Sequence, residues 1–214
     1  MIDKLHFISQ PDALGSPMPA IERALAAGCK WIQLRLKDEP KEMVLRYAIT
    51  AKALCEKHQA MLIVNDHPEI ALKTGANGVH LGLQDMPIQQ ARSIVGPRLI
   101  IGGTANTFEH ILQRAAEGVD YIGLGPLKFT TTKKNLSPVL SHAGYRKLME
   151  KVRQANISLP IIAIGGITLE DIPSLMEAGL YGVAVSGALT RATNPPYLIE
   201  NMYRLLDPQI KQPC

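Results

Sequence analysis

The run Trp31-Ile32-Gln33-Leu34-Arg35-Leu36-Lys37 alternates between apolar and polar side chains over its last six residues. In a β-strand, residues two apart point to the same face. Gln33, Arg35 and Lys37 therefore share one face, and Ile32, Leu34 and Leu36 share the other. Two cations looking into a protein interior are costly unless an anion lies beside them. That anion is either a carboxylate of the protein or a ligand.

The neighbouring sequence decides what kind of interior this is. Short apolar runs predict strands over 5–9, 31–36, 61–66, 78–82, 99–104, 121–125, 160–166 and 182–187. Longer amphipathic runs predict helices over 19–28, 40–59, 68–76, 87–96, 107–118, 142–157, 168–179 and 197–211. Strict alternation of strand and helix implies a parallel sheet, and eight such units close naturally into a single α/β domain, a (β/α)8 TIM barrel over residues 1–214. No linker or second-domain boundary interrupts it. Gly28, Gly75, Gly118 and Gly179 each end a helical pattern two or three residues before an apolar strand. They predict left-handed helix ends at the non-catalytic end of the barrel.

The opposite end reads differently. The strands finish in Gln33-Leu-Arg-Leu-Lys37, Asn65-Asp66, Gly82, Thr104, Gly125-Pro126, Gly165-Gly166 and Ser186-Gly187. In this fold the C-terminal ends of the strands carry the active site.

Composition narrows the partners. The chain has 214 residues, 46% of them apolar and 20% charged, which fits a soluble globular protein. The net charge of +4 comes from Lys and Arg spread along the chain, which favours small anionic ligands over nucleic acid. Cys29, Cys55 and Cys214 are far apart and form no CxxC pair, as expected for reduced thiols in a cytoplasmic protein and not for a metal site. The N-terminal residues lack a basic flank followed by an apolar stretch, so no signal peptide is expected. Uninterrupted apolar runs such as 159–167 have about half the length of a membrane span.

Four constellations are candidates for chemistry. The longest non-periodic stretch, 126–141, contains Thr130-Thr131-Thr132-Lys133-Lys134. Hydroxyls beside a lysine suit a phosphate, although a solvated loop explains them equally well. Asn65-Asp66-His67-Pro68 and Gln84-Asp85-Met86-Pro87 share an Asp-x-Pro pattern before a helix. Aspartate there is a good helix cap. Two aspartates at neighbouring strand ends also suit Mg2+, which takes one or two protein carboxylates and completes its shell with water and phosphate oxygens. Gly165-Gly166 and Ser186-Gly187, after strands seven and eight, lie where barrels often bind phosphate. Of the histidines, His6 and His80 read as core residues, and His58, His110 and His142 as solvated helix positions. His67 lies between an aspartate and a proline.

Taken in order, Gln33-Leu-Arg-Leu-Lys37, Val64-Asn-Asp66, Gly78-Val-His-Leu-Gly82 with Asp85, Gly125-Pro126, Thr130-Thr-Thr-Lys133 and Ala163-Ile-Gly-Gly-Ile167 resemble the thiamine-phosphate synthase family over nearly the whole chain. The family joins a pyrimidine methyl diphosphate to a thiazole phosphate and releases diphosphate. The resemblance implies that Gln33, Arg35, Lys37, Asn65 and Lys133 hold the pyrimidine diphosphate, with Arg35, Lys37 and Lys133 acting on the departing group. It implies Asp66 and Asp85 as Mg2+ ligands. It implies Thr130, Thr132, Gly166 and the Ser186-Gly187 backbone as the thiazole-phosphate site. Thr104 stands where the family often has a serine donor to the diphosphate. Leu83 replaces a common glutamine, and Ser186-Gly187 replaces an aliphatic residue followed by serine. The expected partners are these two small molecules, with homo-oligomerisation left open and no nucleic acid or membrane. A thiazole tautomerase-like or regulatory relative that binds thiazole phosphate without coupling is the alternative, but that branch tends to lack the Gln-x-Arg-x-Lys, Asn-Asp and Thr-x-Thr-Lys sets. A sugar-phosphate isomerase or epimerase would want a paired base at the strand ends, and no such pairing stands out.

Overall fold

Eight strands, β1 (Leu5–Ile8), β2 (Trp31–Leu34), β3 (Met61–Asn65), β4 (Gly78–Leu81), β5 (Ile100–Ala105), β6 (Tyr121–Leu124), β7 (Ile161–Ile164) and β8 (Gly182–Val185), pair in chain order. All neighbours are parallel, and β8 returns to β1, so the sheet closes and has no edge. This computed structural model describes residues 2–129 and 138–207. The helices α1 (Met18–Ala26), α2 (Lys41–Lys57), α3 (Pro68–Thr74), α4 (Ile88–Val95), α5 (Phe108–Glu117), α6 (Ser141–Gln154) and α7 (Ile172–Glu177) each connect one strand to the next. A one-turn helix, α8 (Gly187–Thr190), and then α9 (Pro195–Leu206) follow β8. Among the described residues no helix is long and apolar enough to cross a membrane.

The strand alternation expected from the sequence creates two cores. Trp31, Ile63, Tyr121, Ile162 and Ala184 form a buried cluster of their own, with the His6 ring stacked on Trp31 at 3.7 Å between centroids. Their strand neighbours Ile32, Leu62, Val64, Ile122 and Val183 belong to the larger core, together with Ile21, Leu25, Val44 and Ala48 from the helices. The expected glycine helix ends are present, with Gly28, Gly75, Gly118 and Gly179 all at positive φ. Cys29 and Cys55 are buried free thiols, and burial pushes each up to about 12.

Several boundaries depart from the sequence reading, and three of them matter most here. β2 ends at Leu34, not Leu36, because the Arg35 N–H is taken by the Ser9 hydroxyl at 3.1 Å. Arg35 and Lys37 thus stand on the loop just beyond the strand. The seventh helix begins as a 3-10 turn over Leu169–Asp171, closed by a capping box between Thr168 and Asp171. The last helix ends at Leu206, and residues 208–214, including Cys214, lie outside the described part.

Gly102 in β5 is demanded by the inner core. A Cβ there would lie 2.1 Å from Cζ of the buried Tyr121 ring. Gly102→Ala is expected to destabilise the fold by about 1–3 kcal/mol through overpacking. Urea denaturation checks this, and an unchanged midpoint would show that Tyr121 has room to move.

Candidate active site

Asp66 follows β3 directly and adopts a left-handed φ of 66°, uncommon for a residue with a side chain. Its N–H still donates to the His80 carbonyl at 2.9 Å, so the β3–β4 ladder extends through the turn. Its carboxylate pairs with the Lys37 ammonium, which also lies 4.0 Å from Asp85 Oδ1. Asp85 Oδ2 accepts the Gly82 N–H at 2.6 Å and closes the turn after β4. Neither aspartate is a helix cap. The N-cap position of α3 is His67 and that of α4 is Pro87, both without a side-chain cap bond. The cap reading of the two Asp-x-Pro motifs therefore falls, and the carboxylates converge on one cation.

The electrostatics follow from this packing. Burial first, then a hydrogen bond shared with Asp85, pushes Asp66 up to about 6, against the pull of Lys37. Burial also works to raise Asp85, but the Asp66 hydrogen bond and the Gly82 N–H hold it below the usual carboxylate range. Two carboxylates this close favour sharing one proton, or a cation, over standing bare. Burial lowers the Arg35 guanidinium from its ordinary value, opposed by the nearby Asp66, Asp38 and Asp85. Lys37, Asp66 and Asp85 line a cavity of about 400 Å³ together with Lys41, Glu69 and Met86.

Asn65, at the end of β3, is 6% exposed, and its Nδ2 has no hydrogen-bond partner among the described residues. A buried donor left unpaired costs roughly 1–3 kcal/mol, which a ligand oxygen would recover. Gln33 is buried, with its amide beside the Tyr121 hydroxyl. Thr104 Oγ1 lies 3.0 Å from His80 Nε2 at the end of β5.

Across the rim, Gly166 takes a φ of 69° that favours glycine, and Gly165 packs against Pro126, where a Cβ would come within 2.5 Å. The pair of glycines therefore serves packing as well as the loop. The Ser186 hydroxyl donates to the Ile8 carbonyl at 2.5 Å, so it is engaged in joining β8 to β1, while Gly187 opens α8. Thr130, Thr132 and Lys133 lie outside the described residues. Next to that segment, Lys128 reaches Asp171 Oδ2 at 2.6 Å and His142 reaches Asp171 Oδ1 at 3.2 Å. His142 is thus partnered and not simply solvated.

Arg114 escaped the sequence reading. It is 3% exposed, and its guanidinium donates to the Thr104 carbonyl at 3.1 Å and the Gly82 carbonyl at 2.8 Å. It ties the ends of β4 and β5 together beneath Asp85 and Thr104. Its signal was available, since Arg114 sits three residues after Ile111 on the buried face of α5.

The sequence model of the family described as thiamine monophosphate synthase matches residues 5–189. The chain belongs to this family. A thiamine-phosphate synthase of Bacteroides thetaiotaomicron is 54% identical over 172 residues, covering 80% of this chain and 82% of that one. One from Flavobacterium psychrophilum is 47% identical over 206 residues, covering 96% of this chain and all of the relative. The solved thiamine phosphate pyrophosphorylase of Pyrococcus furiosus superposes with a TM-score of 0.82 at 29% identity, covering 97% of each chain. Arg35, Lys37, Asp66 and Asp85 meet at the C-terminal rim of the barrel.

Proposed function

We propose that this chain couples the pyrimidine methyl diphosphate to a thiazole phosphate, as a transferase that releases diphosphate. The observation that carries the reading is the convergence of Arg35 and Lys37 with Asp66 and Asp85, next to Asn65, whose buried amide has no partner among the described residues. The close relatives named thiamine-phosphate synthase support it across almost the full chain.

Asp66 and Asp85 suit Mg2+: two carboxylates, one held by the Gly82 N–H, already share the Lys37 cation. When bound, the ion supplies Lewis-acid stabilisation to diphosphate oxygens. Arg35, Lys37 and Lys133 hold the diphosphate and stabilise the charge that grows as it departs, the kind of effect that often dominates catalysis. Asn65 donates its free N–H, and Thr104 its hydroxyl. The pyrimidine cation left behind is stabilised by its own amino group. The thiazole is held through its phosphate by Thr130, Thr132, Gly166 and the Ser186–Gly187 backbone, which places its nitrogen for attack and removes much of the entropic cost of bringing two substrates together. The Ser186 side chain is committed to Ile8, so its part in this is through the backbone. The buried thiols fit a reducing, cytoplasmic setting.

The test is direct. Incubated with both substrates and Mg2+, the purified protein is expected to form thiamine phosphate and diphosphate in equal amounts. Chelation of the metal is expected to suppress both. Binding of thiazole phosphate with no diphosphate release would instead favour the non-coupling relative.

A further inference from the structure

Tyr121, His80 and Thr104 form a hydrogen-bonded chain across β6, β4 and β5. His80 Nδ1 lies 3.0 Å from the Tyr121 hydroxyl, and its Nε2 lies 3.0 Å from Thr104 Oγ1. In its neutral form the imidazole has one donor nitrogen and one acceptor nitrogen, and the two bonds then run the same way along the chain. Burial pushes the Tyr121 phenol far above its ordinary value, so the hydroxyl keeps its proton. The Gln33 amide lies beside the phenol oxygen, and when it donates there through its nitrogen the phenol proton is left for His80. Tyr121 O–H then donates to Nδ1, and Nε2–H donates to Thr104 Oγ1. With its oxygen engaged as an acceptor, Thr104 keeps its own O–H for another partner. At the other end, a Gln33 that donates through nitrogen leaves its carbonyl oxygen for an amino group.

The chain has room made for it. A Cβ on Gly102 would strike the Tyr121 ring, and one on Gly123 would come within 3.1 Å of His80 Cε1. These two glycines, on adjacent strands, clear space for the two rings.

We propose that Tyr121 and His80 are positioning residues for the coupling reaction, which hold the Thr104 hydroxyl as a donor to the departing diphosphate. The proposal rests on the reading above that Thr104 contacts that group. The opposite direction, with Thr104 donating into the protein, would present an oxygen lone pair to an anion.

The first test uses the wild-type protein. Nitrogen-15 NMR of labelled histidine at neutral pH, with the His80 signals assigned by their loss in His80→Gln, is expected to show Nε2 protonated and Nδ1 as acceptor. The reverse tautomer overturns the proposal. The second test is kinetic. Tyr121→Phe keeps the ring and removes the hydroxyl, and is expected to lower turnover about tenfold, as for one lost hydrogen bond, with the thiazole-phosphate KM unchanged. In a Thr104→Val background the same substitution is expected to cost nothing further. If Thr104→Val alone leaves turnover intact, the role of Thr104 falls and the proposal with it. If Thr104→Val is costly but Tyr121→Phe adds its full loss on top, only the positioning role fails.

Discussion

Lys133→Ala is expected to lower turnover by roughly two to three orders of magnitude, the usual cost of removing one donor aimed at developing charge. The departing diphosphate gains negative charge in the transition state, and an ammonium near it acts mainly there. The loss should therefore fall on kcat more than on KM for either substrate. Lys133 follows three threonines in a stretch of 126–141 that lacks helical or strand periodicity, so its removal is not expected to disturb the core. Steady-state kinetics alongside a thermal melt check both points. Unchanged turnover with an unchanged melt would remove Lys133 from the catalytic set and leave the charge stabilisation to Arg35 and Lys37.

Asp66→Ala and Asp85→Ala are each expected to raise the Mg2+ concentration for half-maximal activity by at least about tenfold, because even the outer partners of metal ligands cost about 10–100-fold in affinity. The two variants should differ in stability. Asp85 also accepts the Gly82 N–H, so its loss should cost about 1 kcal/mol of folding free energy in addition. Asp66 makes its main contact with Lys37, whose side chain is 42% exposed, so breaking that pair costs the fold little. Activity titrated with Mg2+ at saturating substrate separates the metal effect from the stability effect. A variant that melts lower yet keeps the parent metal dependence would show that its carboxylate serves the fold alone.

Much of this site was legible before any coordinates. The alternation of Gln33, Arg35 and Lys37 marked a polar face on an otherwise apolar strand. The polar residues and glycines that end the strands marked the C-terminal rim of the barrel. The two Asp-x-Pro motifs were ambiguous, since an aspartate before a helix usually serves as a cap. The left-handed turn at Asp66 and the Gly82–Asp85 bond remove the cap reading, and neither has a local signature strong enough to read. His80 looked like a core histidine, and by burial it is one. Its partners, 24 and 41 residues away, make it more than filler.

Hydrophobic periodicity determined the barrel, because the spacing of apolar residues sets which face of each element is buried and hence that eight units must wrap around a shared interior. The same spacing says nothing about the distance between side chains on different units. That Lys37, Asp66 and Asp85 meet at one point, that Arg114 binds the ends of β4 and β5, and that Tyr121 reaches Thr104 through His80 are set only when the sheet closes. These contacts depend on strand register and twist, which emerge from the packing of the whole chain and not from any one segment of it.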